Sequence, residues 1–353
     1  MPIIPLTCPN CGGSLEVDSD KDAAICKFCK KPYVVKDAIV QNYITNVTNI
    51  TADTVNVYSE KDFEIKAGKL VKYNGESDCI QIPPSVKIIG KKAFAGMPVV
   101  SVMIPETVIS IEAEAFRECN YLTDISIPGS VKTIFEAAFT GCTALKSVTI
   151  LDGVETIGAS TFAGCKALEN VSLGKGIRTV QSHLFSGCSA LKAVCLPVGV
   201  KTIGDGAFSD CYFLKEVTIQ AGIELINPSA FKDCYWLETL KIGSGMKAIP
   251  AHTFSGMRRL KEFTIPEGVQ SIGERAFYRC PELQKVTIPA SVVEIGSEAF
   301  GGCAALETVD CAVDMSALRS QGAYLTSGKD VMEAAFSGTP FRSSYLHART
   351  AEA

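Results

Sequence analysis

The sequence predicts a β-rich repeat solenoid, preceded by a small module that carries two closely spaced pairs of cysteines. The apolar pattern Leu-x-x-Val-x-Ile recurs along most of the chain, and two C-x-x-C pairs stand before its first copy. A phenylalanine recurs in phase with that pattern, at one interval of 22 residues and then eight intervals of 23: Phe94, Phe116, Phe139, Phe162, Phe185, Phe208, Phe231, Phe254, Phe277 and Phe300. A fixed period of this length is typical of stacked coils, each too small to fold alone.

The N-terminal module, residues 1–37, is expected to bind zinc. Its cysteines are Cys8, Cys11, Cys26 and Cys29, which form two C-x-x-C pairs separated by fourteen residues. Four thiolates at this spacing can close a tetrahedral shell with no open position, which is typical of a structural zinc site. The module resembles a zinc ribbon. A redox dithiol is the alternative, although it would not need the second pair.

The same module has a small basic and aromatic face, which leaves nucleic-acid binding open as an alternative. Acidic side chains before Cys26 oppose this face, and the net charge of the whole chain is −4. The favoured interpretation is therefore a folded N-terminal knob or a protein-docking module. The face consists of Lys27, Phe28, Lys30, Lys31, Tyr33 and Lys36.

Two short segments connect the module to the repeats. Residues 38–60 are rich in Asn, Thr and β-branched residues and predict an extended linker. Residues 61–77 predict a β-hairpin with its turn at Ala67-Gly68. This hairpin is expected to cover the open end of the first coil, because repeat arrays need capped ends.

Residues 78–310 predict the solenoid, and residues 311–353 predict a C-terminal cap and tail. The Leu-x-x-Val-x-Ile segments are expected to pair as one long parallel sheet, and the stretch around each phenylalanine as one loose helical or 3₁₀ turn. Equivalent apolar residues should form buried ladders. One ladder comprises Leu122, Leu145, Leu168, Leu191, Leu214, Leu237, Leu260, Leu283 and Leu306, and another Ile111, Ile134, Ile157, Val180, Ile203, Ile226, Ile249, Ile272 and Ile295.

A cysteine follows the phenylalanine by three residues in eight coils, where it is expected to act as a small core hydrophobe. Met97 and Met257 take the same position in two other coils, and methionine can neither form a disulfide nor act as a thiolate. Disulfides between coils are the less favoured interpretation. The eight are Cys119, Cys142, Cys165, Cys188, Cys211, Cys234, Cys280 and Cys303.

The repeat has the form I-P-x-x-V-x-x-I-x-x-x-A-F-x-x-C-x-x-L, as in the stretch from Ile127 to Leu145. It resembles the BspA-like, Treponema-type leucine-rich repeats over roughly residues 78 to 310. The resemblance implies a leucine-rich-repeat solenoid, and it implies kinship with bacterial or protist surface proteins that bind other proteins. A cell-surface location is therefore one of two alternatives, the other being the cytoplasm, which the cysteine content favours.

The cysteines favour the cytoplasm, because fifteen of them in an odd, largely unpaired set fit a reducing compartment. The start of the chain lacks a basic segment followed by an apolar run, and no transmembrane helix is expected. An enzyme is not expected either. His183 and His252 share a repeat position but lie three coils apart, and no nucleophile, base and orienting group can be nominated.

A protein-binding surface is predicted just after the cysteine ladder. Most coils carry small or polar pairs there, whereas three adjacent coils carry aromatic and arginine residues, which are enriched in interface cores. The alternatives are that the second residue of each pair tucks under the rim, or that the polar Ser/Thr face of the sheet binds the partner. The residues of this predicted ridge are Tyr212, Phe213, Tyr235, Trp236, Arg258 and Arg259.

These observations together favour a non-enzymatic protein-interaction scaffold that binds a protein partner through the solenoid. The alternatives are a bacterial cell-surface adhesin-like protein and a zinc-ribbon nucleic-acid binder. No small-molecule substrate is expected.

Overall fold

The computed structural model describes residues 4–7, 14–17, 23–25, 32–34, 60–218, 223–242, 245–312, 319–321 and 331–343. The chain forms two compact units, residues 1–59 and 60–353. The first unit contains two antiparallel strand pairs, β1 (Ile4–Thr7) with β2 (Ser14–Val17) and β3 (Ala23–Ile25) with β4 (Pro32–Val34). The predicted zinc ligands Cys8, Cys11, Cys26 and Cys29, and nearly all of the predicted linker, lie outside the described residues.

The second unit begins with a hairpin. After a 3₁₀ turn η1 (Glu60–Asp62), β5 (Phe63–Lys66) pairs antiparallel with β6 (Lys69–Tyr73). Ala67 and Gly68 connect them with φ values of 50° and 76°, a left-handed turn that matches the twist of a hairpin. β6 then pairs in parallel with the first short strand of the solenoid, so the hairpin continues one wall of the coils.

Each coil of the solenoid contributes a strand to each of two parallel ladders. The first ladder uses the Leu-x-x-Val-x-Ile segments: β7 (Cys79–Gln81), β9 (Ser101–Met103), β11 (Asp124–Ile127), β13 (Ser147–Ile150), β15 (Asn170–Ser172), β17 (Ala193–Cys195), β19 (Glu216–Thr218), β21 (Thr239–Lys241), β23 (Glu262–Thr264), β25 (Lys285–Ile288) and β27 (Thr308–Cys311). The second uses shorter segments: β8 (Ile88–Ile89), β10 (Ser110–Ile111), β12 (Thr133–Ile134), β14 (Thr156–Ile157), β16 (Thr179–Val180), β18 (Thr202–Ile203), β20 (Leu225–Ile226), β22 (Ala248–Ile249), β24 (Ser271–Ile272), β26 (Glu294–Gly296) and β28 (Arg319–Gln321).

The parallel β-solenoid is confirmed, but the prediction of one long sheet is wrong in two respects. A second ladder exists, and both ladders are interrupted at the same two places, between the coils of Phe162 and Phe185 and between those of Phe231 and Phe254. The phenylalanine rings are also most widely spaced there, at 5.7 Å and 6.0 Å between centroids. The hydrogen-bonded pairing of strands is therefore continuous only within three successive blocks of coils.

The two strand ladders form two walls of the solenoid, and the segments around the phenylalanines form the third wall. This third wall is not the predicted helical or 3₁₀ turn. Residues two before and two after the phenylalanine have positive φ, as at Glu114 (58°) and Glu118 (57°), so a right-handed turn cannot propagate. Alternate N–H groups instead donate to carbonyls of the next coil, as from Phe116 to Ala138. These bonds cross both boundaries at which the strand ladders are interrupted, for example from Phe162 to Leu184 and from Phe231 to Thr253.

The predicted ladders form the core. All ten phenylalanines of the repeat and every member of the leucine and isoleucine ladders are at most 1% exposed. The eight ladder cysteines are buried and free, as expected of core residues. At about 1.5–3 kcal/mol for each large apolar side chain, these stacked ladders stabilise coils that could not fold singly.

Both ends of the phenylalanine stack are covered. The Tyr73 ring lies 5.6 Å from that of Phe94, and the Phe336 ring lies 5.0 Å from that of Phe300. Phe336 follows the short helix α1 (Val331–Ala335), and a further helical turn occupies residues 340–343. Among the described residues, no helix combines the length and the apolarity needed to span a bilayer.

Candidate partner-binding ridge

The structure brings all six predicted ridge residues together on one edge of the solenoid. Each aromatic or arginine pair directly follows the cysteine-ladder position, which is buried, so the pair is placed where the chain turns towards the first strand ladder. Backbone hydrogen bonds hold successive coils in step, from Phe213 N–H to the Ser189 carbonyl and from Trp236 N–H to the Tyr212 carbonyl. Equivalent side chains must therefore stack along the solenoid axis.

The first row of the ridge is Tyr212, Tyr235 and Arg258. The two tyrosine rings are stacked with centroids 4.9 Å apart and an angle of 11° between their planes. The guanidinium carbon of Arg258 lies 4.1 Å from the centroid of the Tyr235 ring. Both faces of Tyr235 are thus covered, one by a ring and one by a cation.

The second row is Phe213, Trp236 and Arg259. The Phe213 and Trp236 rings have centroids 6.0 Å apart at 34°. The guanidinium carbon of Arg259 lies 5.1 Å from the Trp236 ring, and the same side chain donates to Glu282 at 3.3 Å. This row therefore ends in a cation whose charge is already paired.

The ridge is open to solvent. Tyr212, Phe213 and Trp236 are 38%, 51% and 36% exposed, so the alternative in which the second residue of each pair tucks under the rim is wrong for Phe213 and Trp236. The preceding coil carries Ser189 and Ala190 at the equivalent positions, and these side chains are too short to cover the outer ring faces of Tyr212 and Phe213. The ring faces of Tyr212 and Phe213 that point towards the preceding coil are therefore exposed aromatic surface.

Charged residues that sequence reasoning did not nominate flank the ridge. The Nζ atom of Lys215 lies 5.5 Å from the Trp236 ring on the side of the first strand ladder. On the other side, the Tyr212 hydroxyl donates to Asp210 at 3.4 Å, and the charge of Asp210, followed by burial, raises the pKa of Tyr212. Burial raises the pKa of Asp233 in the next coil. Asp210 and Asp233 each lie two residues before a ridge tyrosine, and Lys215 lies two residues after Phe213, so the residues flanking each pair in sequence would have identified these neighbours.

The other surfaces considered in the sequence are less suited to binding. The described face of the first strand ladder carries exposed or half-buried polar side chains such as Ser147, Thr149 and Glu262, without an aromatic anchor. His183 and His252 occupy equivalent left-handed positions three coils apart. Within the described ranges, no group of three or more His, Cys, Asp or Glu side chains is placed to hold a metal ion.

Solved structures resemble this chain over most of its length. A leucine-rich cell surface protein from Faecalibacterium prausnitzii is 24% identical and covers 77% of this chain and 100% of its own, with a TM-score of 0.39. A leucine-rich repeat protein from Bacteroides ovatus is 27% identical and covers 79% and 94%, with a TM-score of 0.39. One from Eubacterium ventriosum is 21% identical and covers 76% and 77%, with a TM-score of 0.47. No curated protein sequence matches the chain significantly.

The repeats themselves match a family model. The model describes the BspA type leucine rich repeat region and matches residues 72–192, 134–259 and 178–307. These overlapping ranges run continuously from 72 to 307, which is well over half of the chain and includes the whole ridge. The chain therefore belongs to the BspA type leucine-rich repeat family.

Proposed function

We propose that the protein is a non-enzymatic protein-interaction scaffold that binds a protein partner through the ridge of Tyr212, Phe213, Tyr235, Trp236, Arg258 and Arg259. The observation that carries this proposal is a cluster of four aromatic rings, of which Tyr212, Phe213 and Trp236 are exposed and Tyr235 is half-buried, beside two guanidinium groups. Tryptophan, tyrosine and arginine are the residues whose removal most often weakens protein interfaces.

The internal order of the ridge supports the proposal. Its side chains are already stacked on one another before any partner arrives, as the 4.9 Å spacing of Tyr212 and Tyr235 illustrates. Immobilising a flexible side chain on binding costs about 0.5–1.5 kcal/mol, so a pre-stacked ridge loses less conformational entropy. The coils beneath also hold it rigidly, because every ridge pair follows a fully buried ladder residue.

The test is capture of partners from native cell extract with the wild-type chain and with a Tyr235→Ala/Trp236→Ala variant. Tyr121→Ala is the matched control, because Tyr121 is 62% exposed and occupies the repeat position of Phe213 and Trp236 without an aromatic neighbour. A partner retained by wild type and control but lost by the double variant supports ridge docking. A partner set that is identical for all three proteins contradicts it.

We also propose that the N-terminal unit binds a structural zinc ion. Each C-x-x-C pair falls in the segment that links two antiparallel partners, between Thr7↔Ser14 in one hairpin and between Ile25↔Pro32 in the other. Hairpins closed in this way supply two cysteine pairs of the kind that zinc ribbons use, so the donor set Cys8, Cys11, Cys26 and Cys29 suits a structural zinc ion.

We also propose a reducing compartment, the cytoplasm, as the protein's location. The eleven cysteines in the described part of the chain are all free, and Cys79 and Cys195 are exposed. Exposed free thiols are prone to oxidation outside a reducing environment. Fractionation of the native cell, with detection of the chain in soluble and surface fractions, tests this; recovery at the surface would contradict it.

A further inference from the structure

The two rows of the ridge end differently, and the difference defines what the partner must offer. Arg259 is paired with Glu282 at 3.3 Å. Arg258 is exposed, and in the described part of the chain no carboxylate lies within 4.0 Å of it. The equivalent residue of the next coil is Pro281, whose side chain offers no acceptor. The first row therefore ends in a guanidinium that stacks on an aromatic ring and makes no salt bridge among the described residues, although the charge of Asp233 acts on it from a longer distance.

We infer that the ridge recognises an acidic segment of its protein partner, in which an aspartate or glutamate pairs with Arg258 and a neighbouring apolar side chain packs on the rings. This inference rests on the proposed function and specifies the chemistry of the partner.

Stacking prepares Arg258 for a carboxylate. With the guanidinium 4.1 Å from the Tyr235 centroid, one of its faces is already dehydrated. A stacked guanidinium keeps its N–H donors in its own plane, where two of them match the two oxygens of a carboxylate. The Nζ of Lys215, 5.5 Å from Trp236 and also without a carboxylate within 4.0 Å among the described residues, adds a second positive charge across the ridge.

The carboxylates near the ridge favour a singly charged, planar anion over phosphate. Asp210 lies within 3.4 Å of the Tyr212 hydroxyl, and Asp233 interacts electrostatically with Arg258. These two groups repel a dianion such as a phosphorylated residue, and the repeated phosphates of nucleic acid, more strongly than a single carboxylate.

The experiment uses a random 12-residue peptide library displayed on phage and the full-length protein. Binders are first selected on the wild type and then depleted on the Tyr235→Ala/Trp236→Ala variant, which leaves ridge-dependent peptides. Selected peptides and analogues with Asp→Asn or Glu→Gln changes are then titrated against wild type, Arg258→Gln, Arg258→Lys and Arg259→Gln. Circular dichroism of each variant verifies that the fold is retained.

We expect ridge-dependent peptides to share an acidic residue beside an aromatic or aliphatic one. Replacing that acidic residue of the peptide by its amide, Asp→Asn or Glu→Gln, should weaken binding to the wild type about tenfold or more, because a charge-assisted hydrogen bond is lost. The same change should alter binding to Arg258→Gln by about twofold or less, and Arg258→Lys should bind the acidic peptide at an intermediate strength because it lacks the planar fork. Arg259→Gln should keep the full amidation effect.

Two results overturn the inference in distinguishable ways. Ridge-dependent peptides without acidic residues, or an amidation effect of equal size on wild type and Arg258→Gln, would contradict acid recognition and leave ridge docking intact. Complete absence of ridge-dependent peptides would contradict the proposed function itself and the inference with it.

Discussion

The thiol of Cys142 donates a hydrogen bond to the backbone carbonyl of Phe116, with 3.1 Å between sulfur and oxygen. Seven other ladder cysteines make the same bond to the phenylalanine of the preceding coil, as Cys234 does to Phe208 at 3.2 Å. Met257 replaces the cysteine in one coil and has no such proton, so the Phe231 carbonyl lacks this donor. The ladder cysteines therefore link coils as well as fill the core.

The first prediction is that Cys142→Ala destabilises the solenoid by about 1–3 kcal/mol, because it opens a cavity and removes a thiol donor at a fully buried position. The measurement is the urea midpoint of unfolding followed by circular dichroism. Cys195→Ala is the control, because Cys195 is exposed and its removal should change stability by less than about 0.5 kcal/mol. Equal midpoints for the two variants would contradict a structural role for the thiol ladder.

The second prediction concerns the reactivity of Cys79. Burial, and then the hydrogen bond and charge of Asp78, raise the pKa of this thiol. A raised pKa leaves less thiolate near pH 8, so Asp78→Asn should lower the pKa and speed alkylation by about two- to tenfold. The difference should shrink as the pH rises above the pKa in both proteins.

The measurement is peptide mapping by mass spectrometry after timed iodoacetamide treatment. Cys195 is the internal reference, and its rate should not change in Asp78→Asn. The fully buried Cys188 and Cys211 should stay unlabelled until the protein unfolds, because burial raises their pKa well above the usual range. An unchanged Cys79 rate in the variant would show that Asp78 does not control this thiol.

Periodicity explains why some features could be predicted from the sequence and others could not. A strict period of 23 residues fixes which residues stack, and it therefore predicted both the buried ladders and the clustering of Tyr212 with Tyr235. Two-residue strands such as β12 (Thr133–Ile134) are too short to show an alternation of their own, so the second strand ladder was missed.

The third wall was missed for a different reason. Its left-handed positions are occupied by residues as dissimilar as His183, Glu298 and Gly187, with φ of 55°, 50° and 72°. The position two before the phenylalanine is glycine in only one of ten coils, so residue identity did not reveal its conformation. The position two after it is glycine in six of ten coils, and this signal could have predicted positive φ there. The thiol bonds were also missed, since the exchange of cysteine with Met257 indicated only the apolar character of the position.

The third prediction uses Trp236, the single tryptophan of the chain. Lys215 and Arg259 lie 5.5 Å and 5.1 Å from its ring, so the local potential should be positive. Iodide should therefore quench its fluorescence more efficiently than caesium. In the Lys215→Gln/Arg259→Gln variant, the quenching efficiencies of iodide and caesium should become more nearly equal. The quenching efficiency of the neutral compound acrylamide should change little. Stronger quenching by caesium in the wild type would contradict the proposed charge of the ridge.

The fourth prediction is that the purified protein holds one zinc ion, measured by elemental analysis. Cys26→Ser removes a thiolate from the proposed Cys8, Cys11, Cys26 and Cys29 shell, and incomplete shells of this kind bind zinc much more weakly. Zinc content should therefore fall steeply in this variant and stay unchanged in the control Cys195→Ser. Full zinc content in Cys26→Ser would assign the metal to other ligands.

The fifth prediction concerns the C-terminal end of the third wall. The N–H groups of Glu298, Phe300 and Gly302 point towards the chain end and donate to the carbonyls of Ala334, Ala335 and Ser337. Phe336 holds this segment in place, because its buried ring is stacked on Phe300 at 5.0 Å.

Phe336→Ala should therefore cost about 3–5 kcal/mol of local stability and release the segment from those three donors. In a solenoid each coil contacts only its neighbours, so the loss should be confined to the last coils. Hydrogen exchange measured by mass spectrometry should show faster exchange at residues 298–302 and little change at residues 114–118. Phe135→Ala is the matched control, because that ring is 46% exposed and should alter exchange little. Equal exchange at residues 298–302 in Phe336→Ala and in wild type would contradict this prediction. It would show that the Phe336 ring is not needed to keep the N–H groups of Glu298, Phe300 and Gly302 hydrogen-bonded.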